Sequence, residues 1–559
     1  MHATVRKNAH SLLAEAYVYQ YTKKSIGLRS LQLSIQPAMN MKHLLLRVTQ
    51  GLLICAPTLL PANTPNILFI AVDDLKPTLS NYGDSITQTP NFDRLATHAV
   101  TFTNAHCQQA VCGPSRASVL TGLRPDQTKV WDLATRIRNE LPDVITLPQH
   151  FKVNGYQTVG IGKIFDSRSV EGPILDDPES WSRFIQAPAN PNEELGSLYP
   201  EIVAKVRAAS SPATTHAEEM GLRRTIGGIP AYEGQYEVSD EAYLDGRIAK
   251  TAIDQLEELA AGESPFFLGV GFHKPHLPFI APKQYWDLYQ PSDFAPDPTR
   301  SMPDQAPGYH YQPGWELRNG NYADIPPLSS PEVIDDALAT TLIHGYYACV
   351  SYIDAQLGKL LDTLKNSGAA DNTIIVLWSD HGYHLGDHGI WCKHTNYEQA
   401  TRSVLMIADL RGPKNASEYA HPVELLDIYP TLSQLAGINP PDDLAGSSLT
   451  PILNGSNTPI KTAAVSQFDR KFDGRKIMGY AWRSERYRYI EWIDRRFRKG
   501  DMSGPVVDVE LYDYRIDPNE TRNLAHEASH QEALYQMQQI AEAYKSAHGL
   551  QTSYAPKSQ

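Results

Sequence analysis

Asn66-Ile67-Leu68-Phe69-Ile70-Ala71-Val72 is a short apolar run, and Asp73-Asp74 closes it. The run does not alternate between apolar and polar residues, which reads as a strand buried on both faces. Three later stretches repeat the plan. A weaker strand at residues 156–161 ends near Gly162-Lys163, Phe266–Phe272 is followed by His273-Lys274-Pro275-His276, and residues 373–378 are followed by Ser379-Asp380-His381-Gly382. Between the last two, Tyr346, Val350, Ile353, Leu357, Leu360 and Leu364 recur at helical spacing until Gly368 stops them. Thr89 as N-cap and Pro90 at the first position mark another helix start. Apolar strands alternating with helices predict an α/β fold, a large mostly parallel sheet sandwiched by helices. Such sheets bind ligands beyond the C-terminal ends of their strands, and each of these polar clusters falls at such an end.

A chain of 559 residues suits two domains better than one. Residues 63–455 carry the strand–helix pattern and are read as the catalytic domain. After about residue 455 the pattern changes. Residues 476–483 and 488–492 alternate like antiparallel strands, and a helix covers about 531–544, so 456–559 is read as a smaller α+β domain with a short antiparallel sheet. Residues 170–245 and 290–335, rich in Pro, Gly, Ser and Asp, are read as long loops around a site mouth. Upstream, the basic start Met41-Lys42-His43, an apolar run to Cys55-Ala56 and small residues up to Ala62 read as a signal peptide at 41–62. It implies export to a periplasmic, secreted or lysosome-like compartment. Residues 1–40 are read as a non-native extension or a disordered tail.

Hydrophobic content of 42% and charged content of 20% are those of a soluble globular protein. The net charge of −13 argues against nucleic acid or an anionic membrane as partner, and no stretch is apolar for long enough to span a bilayer. With Cys55 in the signal and Cys112 set apart, Cys107, Cys349 and Cys392 form an odd set that gives no disulfide framework.

Asp73 and Asp74 are adjacent carboxylates after a buried strand, and like charges side by side raise one pKa unless a cation neutralises them. Asp380 and His381 follow a second such strand. Three carboxylates and one imidazole at one sheet edge suit Ca²⁺ or Mg²⁺, and the residues alone do not choose between the two. Lys163, His273 and Lys393 come from separate segments and would form a positive pocket for an anion. His276 and His388, near the same motifs, are read as supporting residues. Cys112 is ambiguous by itself, since a lone cysteine is commonly a small buried residue. Its setting is more telling. Pro114 suits a first helical turn and Gly122 a helix end, which puts Cys112 at a helix N-terminus with Arg116 one turn along, able to point back at it.

Cys112-Gly113-Pro114-Ser115-Arg116 resembles the maturation motif of type I sulfatases of the alkaline phosphatase superfamily. Residues 271–279 and the run Asp380-His381-Gly382 to Trp391-Cys392-Lys393 are similar to the iduronate-2-sulfatase branch, and matching stretches are spread over most of residues 64–525. The resemblance implies that Cys112 is oxidised by a maturation enzyme to formylglycine, whose hydrate is the nucleophile. It implies Ca²⁺ as the metal, bound by Asp73, Asp74, Asp380, His381 and modified Cys112. Arg116 and Lys163 would hold the aldehyde hydrate, and His273 and Lys393 would contact the sulfate. Asp166 stands where the family usually has a histidine that assists sulfate release, and is carried as a candidate base.

Two other readings stay open at this point. One is a phosphate mono- or diesterase of the same superfamily, the other a non-catalytic protein that binds sulfated glycan. Trp131, Arg136, Arg138 and His394 are candidates for the entrance, where an arginine could grip a uronate carboxylate. The expected substrate is a sulfated polysaccharide or its oligosaccharides.

Overall fold

The computed structural model describes residues 64–170, 176–210, 218, 221–222, 225–312, 314–330, 334–472 and 474–554. The readings of 1–40 and 41–62 as extension and signal peptide lie outside these residues.

Strands β1 Asn66–Val72, β2 Val100–Phe102, β3 Gln157–Gly162, β4 Arg183–Ile185, β5 Phe266–Phe272, β6 Thr373–Ser379, β7 Leu405–Asp409 and β8 Ser417–Tyr419 form an eight-stranded sheet. Its order is β8-β2-β7-β6-β1-β5-β3-β4. β1 lies at the centre, parallel to both neighbours, with Ile67 opposite Phe267 on β5 and Ile374 on β6. β7 is the reversed strand. The unbroken apolar run of β1 is explained by burial on two sides. Leu68, Ile70 and Val72 enter one core cluster, and Ile67, Phe69 and Ala71 enter the other.

Helices α1 Pro90–Ala96, α2 Cys112–Thr121, α3 Leu147–Val153, α4 Pro200–Ala209, α5 Leu244–Ala260, α6 Asp336–Asn366, α7 Ile428–Leu435 and α8 Gln531–Ala547 complete the frame. α1, α5 and α6 pack on the first face, through residues such as Phe92, Leu256 and Leu357. α2, α3 and α7 pack on the second, through Leu120, Phe151 and Leu432.

Three local expectations change. At α1, Thr89 occupies the N-cap but its hydroxyl meets Ser80 instead, and Asp354 on α6 accepts the free N–H groups of Asn91 and Phe92, both at 2.8 Å. A carboxylate from a packed helix thus replaces the local cap. α6 starts at Asp336, ten residues before the periodic run, where the Asp335 side chain accepts the Leu338 N–H at 2.8 Å. Within the stretch read as loop, α4 forms because Pro200 opens it and Ile202, Val203 and Val206 bury one face.

The C-terminal sheet consists of β9 Ala464–Phe472, β10 Arg475–Arg483, β11 Tyr487–Ile493, β12 Ser503–Asp513 and β13 Gln551–Tyr554. The first four are antiparallel, and β13 joins β12 in parallel. Alternation divides its faces. Met478, Tyr480 and Trp482 meet Met537 and Ala541 of α8, while Ile477, Ala481 and Ile490 meet Ile390 and Tyr397. β9 also supports the segment leading into α2, since Ser466 Oγ donates to Cys107 O (2.6 Å) and the Gln467 N–H to Gln108 O (2.8 Å). Cys107, Cys112, Cys349 and Cys392 are buried free thiols.

Strand tips β3 and β5 touch without side chains between them. Gly162 has φ +74°, and a Cβ there would lie 2.2 Å from Gly271 O; a Cβ on Gly271 would lie 2.1 Å from Lys163 O. The Lys163 N–H donates to Gly271 O at 2.9 Å. Gly271→Ala is expected to lower stability by about 2–3 kcal/mol through this overpacking, read as a lower denaturant midpoint; an unchanged midpoint would show that the tips are free to separate.

Candidate active site at the strand tips

β1 delivers Asp73 and Asp74, and β6 delivers Asp380 and His381. The Asp74 backbone is left-handed, with φ 59°. Its N–H donates to Asp380 Oδ1 (3.1 Å), and Tyr346 Oη donates to its carbonyl (2.7 Å). Cys112 is the first residue of α2, after extended Val111, and Gly122 ends the helix at φ 71°. Cys112 Sγ lies 3.9 Å from Asp74 Oδ1 and 3.5 Å from His381 Nε2.

His381 Nδ1 sits 2.9 Å from Gly382 O. A carbonyl can only accept, so Nδ1 carries a proton and Nε2 is turned toward the acids, 3.4 Å from Asp74 Oδ1. Ligand atoms of Asp74, Cys112, Asp380 and His381 lie within 4.8 Å of one another, as do those of Asp73, Asp74, Cys112 and His276. The donors are oxygen-rich with one imidazole nitrogen, and they fit a hard divalent cation.

Three cations hold these acids. The fully buried Arg116 donates from Nη2 to Asp73 (2.9 Å), from Nε to Asp380 (3.0 Å) and from Nη1 to the carbonyls of Lys163 and Ile164. It therefore grips the carboxylates rather than turning back to Cys112. Lys163 Nζ pairs with Asp73, and Lys393 Nζ lies 2.9 and 2.8 Å from the two Asp74 oxygens. Burial alone would raise the Asp73 pKa, but Lys163 and Arg116 hold it well below the usual carboxylate range. Burial raises Asp380, and His381 and Arg116 offset this only in part. Burial, with Asp73 adding, pushes the Cys112 thiol well above its usual pKa. An unmodified Cys112 is thus a neutral thiol and a weak nucleophile.

Asp73, Cys112, Lys163 and Lys393 line a cavity of about 930 Å³, together with His273, Asp166, Arg168, Trp315 and His394. The His273 N–H donates to Asp245 Oδ1 at 2.7 Å, and its imidazole is pushed down to about 3 by burial, with Lys163 adding. Asp166 is buried in a fork with Arg168, which outweighs burial and holds it far below the carboxylate range. Held in this fork, Asp166 takes up a proton poorly. Of the entrance candidates only His394 reaches the cavity. Trp131 packs on Phe497 and donates to Asp126, and Arg138 forks on Asp177. His388 packs at a tilt against Tyr397, outside the cavity.

Glu316 escaped the sequence reading. It lies on the turn Trp315–Arg318, in an aperiodic stretch, 3.0 Å from His276 Nε2 and 2.9 Å from Lys393 Nζ. Gln312 Nε2 ties this turn to the carbonyls of Trp391 (2.9 Å) and Lys393 (2.7 Å). Asp245 on α5 escaped too, because its role depends on where β5 ends.

Strand-tip acids thus surround a cysteine at a helix N-terminus, faced by Lys163 and Lys393. The sequence profile of the Sulfatase family matches residues 65–438, and that of the N-sulphoglucosamine sulphohydrolase C-terminal region matches 386–546. The chain belongs to the sulfatase family and is a sulfuric ester hydrolase. It is 32% identical over 533 residues to mouse iduronate 2-sulfatase, covering 83% of this chain and 91% of the relative. It is 34% identical over 479 residues to a sulfatase of Formosa agariphila, covering 82% and 83%. A solved structure described as a 2-O GAG sulfatase shares the fold, with a TM-score of 0.60 at 22% identity, over 88% of this chain and 96% of that one.

Burial also pushes His394 down to about 3, with Glu316 opposing and Lys393 adding. His273 and His394 bind protons near 6.5 in an unfolded chain. The folded state therefore loses stability as pH falls from about 6.5 toward 3, and neither residue contributes a loss above that window. His394→Gln is expected to flatten the fall in melting temperature between pH 6.5 and 4.5. An unaltered slope would mean that His394 takes up its proton without strain in the folded protein.

Proposed function

We propose that this sulfatase is exported and removes sulfate from a sulfated polysaccharide or its oligosaccharides, using a formylglycine made from Cys112 by a maturation enzyme. The placement of Cys112 Sγ against Asp74 and His381, at the floor of a cavity with Lys163 and Lys393, carries this reading. Residues 63–455 hold all the proposed catalytic groups, and 456–559 brace them as a smaller domain. The relatives support the substrate class, since one is an iduronate 2-sulfatase and a structural neighbour is a 2-O GAG sulfatase.

Asp73, Asp74, Asp380, His381 and the modified residue 112 would hold a divalent cation, proposed to be Ca²⁺, which when bound would polarise the sulfate and acidify a hydroxyl at residue 112. A hydrated aldehyde offers two hydroxyls there, one to attack sulfur and one to expel sulfate afterwards. Lys163 fixes that group's orientation, and Arg116 holds the acids Asp73 and Asp380 beside it. Lys163, Lys393 and His273 bind the sulfate oxygens, where charge builds during transfer. His273 is neutral and donates a hydrogen bond. Lys393 keeps an ammonium proton that a leaving alkoxide, the stronger base, accepts readily. Asp166 positions Arg168.

Cys112→Ala is expected to lower sulfatase activity on an aryl sulfate at least about a thousandfold, the scale of losing a covalent nucleophile. In matured wild type, the peptide bearing residue 112 is expected about 18 Da lighter than its cysteine form. Near-normal turnover by Cys112→Ala would discard the proposal, and preference for aryl phosphate over aryl sulfate would favour the phosphatase reading. Chelation with EDTA is expected to abolish turnover and lower the melting temperature, with Ca²⁺ restoring both better than Mg²⁺. A protein indifferent to EDTA in both readouts would remove the metal from the account.

A further inference from the structure

Arg168 faces the catalytic cavity, and the chemistry above leaves it unused. Its Nε and Nη2 donate to the two Asp166 oxygens at 2.8 and 2.7 Å, and its backbone N–H donates to Asp166 Oδ1 at 3.0 Å. Asp166 keeps only 2% of its side-chain surface, while Arg168 keeps 35%. The fork thus pins one edge of the guanidinium to a buried acid. Nη1, on the other edge, has no hydrogen-bond partner among the described residues. A local surface pair of this kind would add little to stability, yet here the acid is buried and the cation opens into the site.

The loop that carries Arg168 is fixed against the helix of residue 112. Ser169 donates its N–H to Asp166 O (2.9 Å) and accepts the Ile137 N–H (2.9 Å). A Cβ on Gly113 would lie 2.6 Å from Ser169 Oγ, so the loop lies flush on the first turn of α2. Arg168 therefore has a set position relative to the reacting centre. Trp315, 59% exposed at the same cavity, offers an aromatic face to a sugar ring.

We infer that Arg168 is a second anion-binding point, which grips a carboxylate or a further sulfate on the sugar whose sulfate ester lies over residue 112. This rests on the sulfatase reading above and narrows it to substrates with two anionic groups. A planar guanidinium with a free edge meets either anion through paired N–H donors.

The test uses matured full-length protein and three sugars: monosulfated glucose, disulfated glucose and monosulfated glucuronate. Wild type is expected to prefer a doubly anionic sugar over the singly anionic one, and Arg168→Gln to cut that ratio of kcat/KM at least tenfold, with Arg168→Lys restoring part of it. The sugar whose preference falls identifies carboxylate or sulfate as the group held. No preference in wild type, or an equal loss on all three sugars in Arg168→Gln, overturns the inference. Calorimetric binding of the same sugars to the Cys112→Ala protein is read in parallel, and there the added Arg168→Gln change is expected to weaken the doubly anionic sugars at least tenfold. Unaltered affinity overturns the inference even if hydrolysis proceeds. If the affinity loss is seen but wild type cleaves no sulfate ester, the second anion point stands and the sulfatase reading falls instead.

Discussion

Arg116 is the constraint on which the site depends. Its guanidinium has no exposed surface and joins Asp73 after β1 to Asp380 after β6. Removing one partner of such a buried pair costs on the order of 3–5 kcal/mol, because the remaining charge stays desolvated. The same guanidinium donates to the carbonyls of Lys163 and Ile164, so it also fixes the tip of β3. Three strand ends are thereby locked to α2, whose first residue is Cys112. The sheet supplies the positions, and this one residue converts them into a rigid cradle.

Much of the frame was legible because β1, β5 and β6 are buried on both faces. Such strands must be apolar throughout, and the polar residue that ends the run marks the strand tip. Asp73, Asp74, His273, Asp380 and His381 stood out for that reason. Sequence is silent where a role depends on a partner from elsewhere. Asp354 caps α1 from another helix, Asp245 holds the backbone of His273 and Lys274 from α5, and Glu316 reaches Lys393 from an aperiodic turn. Arg138 and Trp131 look like surface recognition residues in one dimension. Asp177 and Phe497 claim them in three.

The C-terminal sheet extends this logic. Its alternating strands bury Ile477 and Ala481 against Ile390 and Tyr397, which flank the segment bearing Lys393. Arg488 Nη1 donates to Asn396 O (2.7 Å) and its Nη2 pairs with Glu398. This packing supports the segment of Lys393 from the side opposite its partner Asp74 on the main sheet.

Charge balance explains why such a pocket needs a cation to hold an anion. Asp73, Asp74, Asp380 and Glu316 face Arg116, Lys163 and Lys393, so the acids outnumber the bases by one. At a separation of 4 Å one unit charge acts on another with about 4 kcal/mol at an effective dielectric near 20, enough to decide whether a sulfate enters. The chain's net charge of −13 matters less, since charges beyond about 8 Å are screened at physiological salt. Asp73, Asp74, Asp380 and His381 would hold a divalent ion whose charge would reverse the local sign. Arg168, whose own acid already neutralises it, adds no net charge to that contest. Its contribution is geometric, which is why it would sort substrates rather than drive turnover.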